Sequence, residues 1–120
     1  MGKRVLVVDD ANFMRMVVKD ALTPQGFQVC GEAVNGVDAV GKYQRLKPDV
    51  VTMDITMKVM GGLQAAREIL SSDPNARIVM VTALGQERMV LESIGLGVRD
   101  FVVKPFTVER ILSVVEKALL

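Results

Sequence analysis

The residues best suited to chemistry in this chain are three aspartates, a threonine and a lysine, each standing at the end of a short apolar run. Val5-Leu6-Val7-Val8 leads into Asp9-Asp10, Val50-Val51-Thr52-Met53 into Asp54, Ile78-Val79-Met80-Val81 into Thr82-Ala83, and Phe101-Val102-Val103 into Lys104-Pro105. Each has a plain structural explanation when taken alone. Asp10 could cap a helix, Asp54 could sit in a turn, Thr82 could be a strand former and Lys104 a solvated charge. As a set they resist that explanation, because carboxylates crowded together repel and raise one another's pKa unless a cation compensates. A Mg²⁺ site with Lys104 beside it meets that need, since Mg²⁺ favours a few carboxylates, some waters and a phosphate. The chain has no histidine and a single cysteine, Cys30. Ser-His-Asp and Cys-His nucleophiles are thereby excluded, as are soft-metal sites. Any bound ion should be a hard cation held by oxygen.

These residues can meet only if the elements before them end at one edge. Five short apolar runs recur, the fifth being Phe27 to Ala33, and a segment of helical spacing follows each. Four of the runs are solidly apolar, which suits strands of a parallel sheet buried on both faces. In the remaining one, Phe27, Val29, Gly31 and Ala33 alternate with Gln28, Cys30 and Glu32, the pattern of a partly exposed edge strand. The helical stripes are Phe13, Met16, Val17 and Ala21; Val37, Val40 and Tyr43; Leu63, Ala66, Ile69 and Leu70; Met89, Val90 and Ile94; and Val108, Ile111, Leu112, Val115 and Leu119. Breaks fall at Pro24-Gln25-Gly26, Lys47-Pro48, Asp73-Pro74-Asn75 and Gly95 to Gly97. The spacing predicts an α/β, doubly wound (βα)₅ sandwich with right-handed crossovers. An edge position for the second strand favours the flavodoxin-like order 2-1-3-4-5. Ligands of such folds bind outside the carboxyl ends of the strands flanking the switch point, here the first and third.

The motifs Val7-Val8-Asp9-Asp10, Val51-Thr52-Met53-Asp54, Val81-Thr82-Ala83 and Val103-Lys104-Pro105-Phe106 resemble those of the receiver domain of bacterial two-component response regulators. The resemblance runs from Lys3 to Leu120 and implies a single receiver domain over residues 1–120 with no output domain, of the stand-alone chemotaxis type. It implies that Asp54 is the phosphoacceptor. Asp10, Asp54 and the Thr56 backbone carbonyl would hold Mg²⁺, or Mn²⁺ in its place, with Asp9 acting through water. Lys104 and Thr82 would contact phosphoryl oxygens, the bond before Pro105 would be cis, and Thr82 with Phe101 would form the switch. The implied partners are a histidine kinase as phosphodonor, a downstream target such as a flagellar motor switch component, and a separate phosphatase. The target would dock on the face of the fourth helix, fifth strand and fifth helix. Apart from self-phosphorylation and self-dephosphorylation no enzyme activity is implied, and residues Thr56 and Leu84, lacking a strong base, imply slow to moderate self-dephosphorylation.

The chain departs from the family pattern after Asp54. Lys58 stands where proline is usual, and Gly61 where asparagine or aspartate would cap the next helix. Both changes should loosen the loop carrying Thr56. Other readings of the strand-end aspartates fare worse. A haloacid-dehalogenase-like phosphatase would want an aspartate at position 56, which is threonine. A flavodoxin-like FMN carrier would need a hydroxyl- and glycine-rich loop where Asp9-Asp10 stands. The remaining alternatives are a receiver of another two-component pathway and a receiver fold that accepts phosphate weakly or never.

Composition agrees with the implied setting. Fifteen basic and fourteen acidic residues give a net charge of +1, which draws the chain neither to nucleic acid nor to an anionic membrane. At 120 residues a core is available without staples. The apolar runs are far shorter than the ~20 residues of a membrane span, no signal-peptide core follows Met1, and a lone cysteine suits a reducing compartment. A cytoplasmic monomer is expected.

Overall fold

A computed structural model describes residues 2–120. Five strands alternate with five helices: β1 (Arg4–Val8), α1 (Asn12–Leu22), β2 (Gln28–Ala33), α2 (Gly36–Leu46), β3 (Val50–Asp54), α3 (Gly62–Ser72), β4 (Ile78–Thr82), α4 (Glu87–Leu96), β5 (Asp100–Val103) and α5 (Val108–Ala118), with a 3₁₀ turn at Thr23–Gln25. The sheet is wholly parallel in the order β2-β1-β3-β4-β5, as the sequence predicts. Successive strand residues point to opposite faces, and each face carries its own core. Leu6, Val8, Val51, Met53, Ile78 and Met80 pack with α2, α3 and α4, while Val5, Val7, Val50, Val79 and Val81 pack with α1 and α5. No helix among the described residues is long and apolar enough to cross a membrane.

The edge strand β2 is less regular than its alternation predicts. Val5 pairs with Val29, but Leu6 pairs with Gly31, so Cys30 is an extra residue, a bulge. One additional residue turns everything beyond it to the other face. Phe27 and Val29 accordingly pack toward α1 and α5, whereas Ala33 joins the core on the opposite face. The same inversion lets Glu32 face α1, where it pairs with Arg15 at 2.9 Å and Lys19 at 2.9 Å.

The inward stripes of the helices also differ from those read off the sequence. α1 buries Val18, Ala21 and Leu22 and leaves Phe13 and Met16 exposed; α2 buries Ala39 and Tyr43 but exposes Val37. α5 buries Ile111, Val114, Val115 and Ala118, and Val108 faces out. In α4 only Val90 and Ser93 are buried, while Met89 and Ile94 are exposed. The stripes closest to the sheet mix small residues such as Ala21, Ala39 and Ala118 with large ones such as Leu22, Tyr43 and Ile111. The other apolar residues beside them cover the surface.

One core residue carries an uncompensated polar group. The Thr52 hydroxyl, in the middle of β3, is buried and has no hydrogen-bond partner among the described residues. A buried hydroxyl without a partner costs about 1–3 kcal/mol. Thr52→Val keeps the branched shape and should stabilise the protein by about 1 kcal/mol, visible as a melting temperature a few degrees higher. A lower melting temperature would mean that the hydroxyl has a partner in solution.

Candidate functional site

Four strand ends bring the chemistry-bearing residues together. β1 delivers Asp9 and Asp10, β3 ends on Asp54, β4 ends on Thr82, and Lys104 follows β5 directly. One carboxylate oxygen from each of Asp9, Asp10 and Asp54 lies within 4.8 Å of the others, a grouping fit to hold a cation. Asp9 and Asp54 are buried and Asp10 is exposed. Lys104 reaches back from the far side of the sheet, its Nζ 3.1 Å from Asp9 Oδ2 and 3.2 Å from Asp54 Oδ1.

The local structure explains why each group is held. Asp9 Oδ1 accepts from the Ala11 amide at 2.9 Å, and Arg15 Nη1 donates to the Asp9 carbonyl at 2.7 Å. Arg15 is itself fixed by Glu32, whose carboxyl is held below its ordinary pKa by the hydrogen bond from Lys19, against the effect of burial, and by Arg15. The N-cap of α1 is Ala11, with no side-chain cap, so Asp10 is not a capping residue and its carboxylate is left facing the cluster. Lys104 donates its backbone amide to the Thr82 carbonyl at 2.7 Å, and the Lys104-Pro105 peptide is cis.

Asp54 rests on a close approach of two backbones. A Cβ on Gly62 would lie 2.0 Å from the Asp54 carbonyl oxygen, so only glycine fits there. The Gly62 amide donates to the Ile55 carbonyl at 2.8 Å, pinning the start of α3 beneath the strand end. The loop between carries Lys58 and Gly61. Lys58 is exposed and in no salt bridge among the described residues, and Gly61 is the N-cap without a side-chain bond. Val59 has a φ of 69° and is flanked by a 2.8 Å bond from the Met60 amide to the Lys58 carbonyl. That is a γ-turn of positive φ, a strained form that a β-branched side chain tolerates poorly.

The electrostatics follow from burial and crowding. The Asp54 carboxyl is pushed up to about 6, chiefly by burial and then by the Asp9 charge, with Lys104 pulling it back and Asp10 adding to the rise. Burial alone would lower the Lys104 ammonium, but the charges and hydrogen bonds of Asp54 and Asp9 outweigh it and hold Lys104 above its ordinary pKa. The cluster is short of positive charge even with Lys104 in place. An oxygen-binding cation is what these donors fit.

Thr82 and Phe101 line one groove with Leu84, Val90, Leu91 and Ile94, a cavity of about 290 Å³. Phe101 is half-buried against the core on the α2, α3 and α4 face. The Thr82 hydroxyl donates to Gln86 Oε1 at 2.8 Å rather than pointing at Asp54. Gln86 also accepts from the Ala83 amide at 2.7 Å and donates from Nε2 to the Thr56 hydroxyl at 2.5 Å. Gln86, Arg15 and Gly62 are the site residues that sequence reasoning missed. The only sign of Gln86 was a polar residue just ahead of a helix, which ordinarily suggests no more than a cap.

Comparison with known proteins agrees with this geometry. Residues 5–116 match the family described as response regulator receiver domain. The Chemotaxis protein CheY of Thermotoga maritima is 56% identical over 117 residues, covering 98% of both chains, and that of Bacillus subtilis is 51% identical over 119 residues, covering 99% of both. Among solved structures, the CheX–CheY–BeF₃–Mg²⁺ complex from Borrelia burgdorferi superposes with a TM-score of 0.94 at 35% identity, covering 98% of this chain and 90% of that one. The response regulator domain of Thermotoga maritima CheB gives 0.91 at 37% identity, covering 99% and 97%. Sheet order, clustered carboxylates and a match spanning almost the whole sequence converge, and the chain belongs to the response regulator receiver family.

Proposed function

We propose that this protein is a phosphorylation-activated chemotaxis switch in which Asp54 accepts a phosphoryl group. The observation that carries the reading is a buried carboxylate, Asp54, facing both a cation at 3.2 Å and two further carboxylates at the strand ends. A carboxylate oxygen of Asp54 attacks phosphorus as the donor's P–N bond breaks, and the leaving imidazole of a kinase phosphohistidine takes up a proton. Lys104 is placed to exchange its contact with Asp54 for one with a phosphoryl oxygen, supplying charge where negative charge builds up. Thr82 supplies a hydrogen bond to a second oxygen.

The oxygen donors of Asp10, Asp54 and the Thr56 carbonyl would hold Mg²⁺, with Asp9 acting through water, and Mn²⁺ suits the same set. Held there, such an ion would supply positive charge to offset that of the phosphoryl oxygens. The protein's own chemistry is confined to transfer onto Asp54 and hydrolysis from it. Thr56 and Leu84 are exposed beside the site and neither can act as a strong base, which favours slow to moderate self-dephosphorylation and leaves room for a separate phosphatase. The exposed Leu91, Ile94 and Val103 line one apolar groove between α4 and β5 that suits a downstream target, a flagellar motor switch component in this reading.

Intact-mass spectrometry after incubation with Mg²⁺ and a small acyl phosphate tests the proposal. One added phosphoryl group is expected, absent in Asp54→Asn and absent when the metal is chelated. An unmodified mass throughout, including at short times that allow for rapid turnover, would identify a receiver fold that does not accept phosphate.

A further inference from the structure

Gln86 stands between the two loops that flank Asp54, and its bonds reach groups on both, among them the Thr82 hydroxyl that a phosphoryl oxygen would take. Its Oε1 takes the Thr82 hydroxyl and the Ala83 amide together, at 2.8 and 2.7 Å. Its Nε2 holds the Thr56 hydroxyl on the opposite loop. It is the N-cap residue of α4 by position, yet its side chain makes no bond to the first turn of that helix. The carboxamide therefore spans from the β4–α4 loop to the β3–α3 loop. With Thr82 donating to Gln86, its single hydroxyl proton is unavailable to any oxygen on Asp54.

Resting on the reading of Asp54 as phosphoacceptor, we infer that Gln86 is a positioning residue that latches the unmodified state by occupying the Thr82 and Ala83 donors. A phosphoryl oxygen on Asp54 that receives the Thr82 hydroxyl must first displace it from Oε1. Displacement also frees Nε2 from Thr56, so the two loops separate as the new bonds form. The cost of breaking this bridge falls on the modified state alone, and it sets how readily Thr82 moves. Gln86 thus opposes the switch. A residue that merely capped the turn ahead of α4 would lower overall stability when removed and leave anion affinity unchanged.

Fluoroberyllate, which stands in for a phosphoryl group on the carboxylate, is the probe, titrated into the full chain with Mg²⁺ and followed by ¹⁹F NMR. Wild type should bind and Asp54→Asn should not. Gln86→Ala should bind about fivefold to tenfold more tightly, since each lost competing hydrogen bond is worth about a factor of several. Gln86→Met, close in size but without the amide, should tighten binding to the same degree, which separates the hydrogen bonds from bulk. In a Thr82→Ala background the gain from Gln86→Ala should shrink by about half or more, because one of the two released donors is already gone. Equal affinity in wild type and Gln86→Ala, or tightening in Gln86→Ala without Gln86→Met, would overturn the latch while leaving the phosphoacceptor reading intact. A wild type that fails to bind fluoroberyllate would overturn both.

Discussion

Without divalent metal, Asp54→Asn should be more stable than the wild type at pH 7.5, with most of that difference gone by pH 4. The cause is the unfavourable setting of this carboxylate, whose pKa is pushed from the ordinary 3.8 to about 6 by burial and by Asp9. Below the lower value the group is protonated whether the chain is folded or not, and it contributes nothing. Between the two, the folded protein still holds a proton that the unfolded chain has released, so stability falls as pH rises. Above about 6 the full penalty is present, corresponding to about 2–3 kcal/mol. Asparagine removes the charge and with it the penalty. Urea unfolding of both proteins at the two pH values, in chelator, measures the difference. A gap that persists undiminished at pH 4 would show that charge is not its source. Adding Mg²⁺ should narrow the gap at pH 7.5, since a cation at the cluster relieves the same repulsion.

Gly62→Ala should do more damage than any other one-carbon change in the chain. The added Cβ would meet the Asp54 carbonyl oxygen at 2.0 Å, with the Asp54 carbonyl carbon at 2.9 Å behind it, and neither is the free end of a flexible side chain. Backbone must move, at a cost of about 3 kcal/mol or more. Because the obstacle is the backbone carbonyl of Asp54, the proposed acceptor, phosphoryl uptake should fall together with stability. Gly41→Ala is the matched control. It lies within α2, nothing stands within 4 Å of its added Cβ, and it should stabilise by about 0.5–1 kcal/mol. Comparable losses from the two substitutions would mean that the contact at Gly62 is looser than it stands here.

The strand ends were legible because strands buried on both faces leave long apolar runs, and a charge after such a run has few places to be. Asp9, Asp10, Asp54, Thr82 and Lys104 were found by that logic, and the structure brings them to one edge. The inner faces of the helices were less legible. Periodicity marks an apolar stripe but cannot tell the stripe toward the sheet from a neighbouring one toward solvent when both are apolar. Of the α1 stripe Phe13, Met16, Val17 and Ala21, only Ala21 is buried, and Val18 and Leu22 pack beside it. The bulge at Cys30 left no mark, because an alternating strand reads the same until its partner's register is known. Gln86 was out of reach for a related reason. What it does depends on how far one side chain extends across two loops, which no spacing rule encodes.

The strand that completes the site is also the one with the least backbone holding it. β5 has four residues, Asp100–Val103, and pairs on one side only, with β4. It carries Phe101 and Val103 into the groove and presents Lys104, a cation paired with a carboxylate 95 residues earlier in the chain. Edge strands with few ladder bonds are natural places for local opening short of global unfolding. Any bond that tightens on Lys104 therefore acts on the segment whose amides should exchange with solvent most readily among the five strands. A charge placed at Asp54 that draws on Lys104 should then slow exchange in β5 and firm the groove wall together, with no rigid lever needed between them.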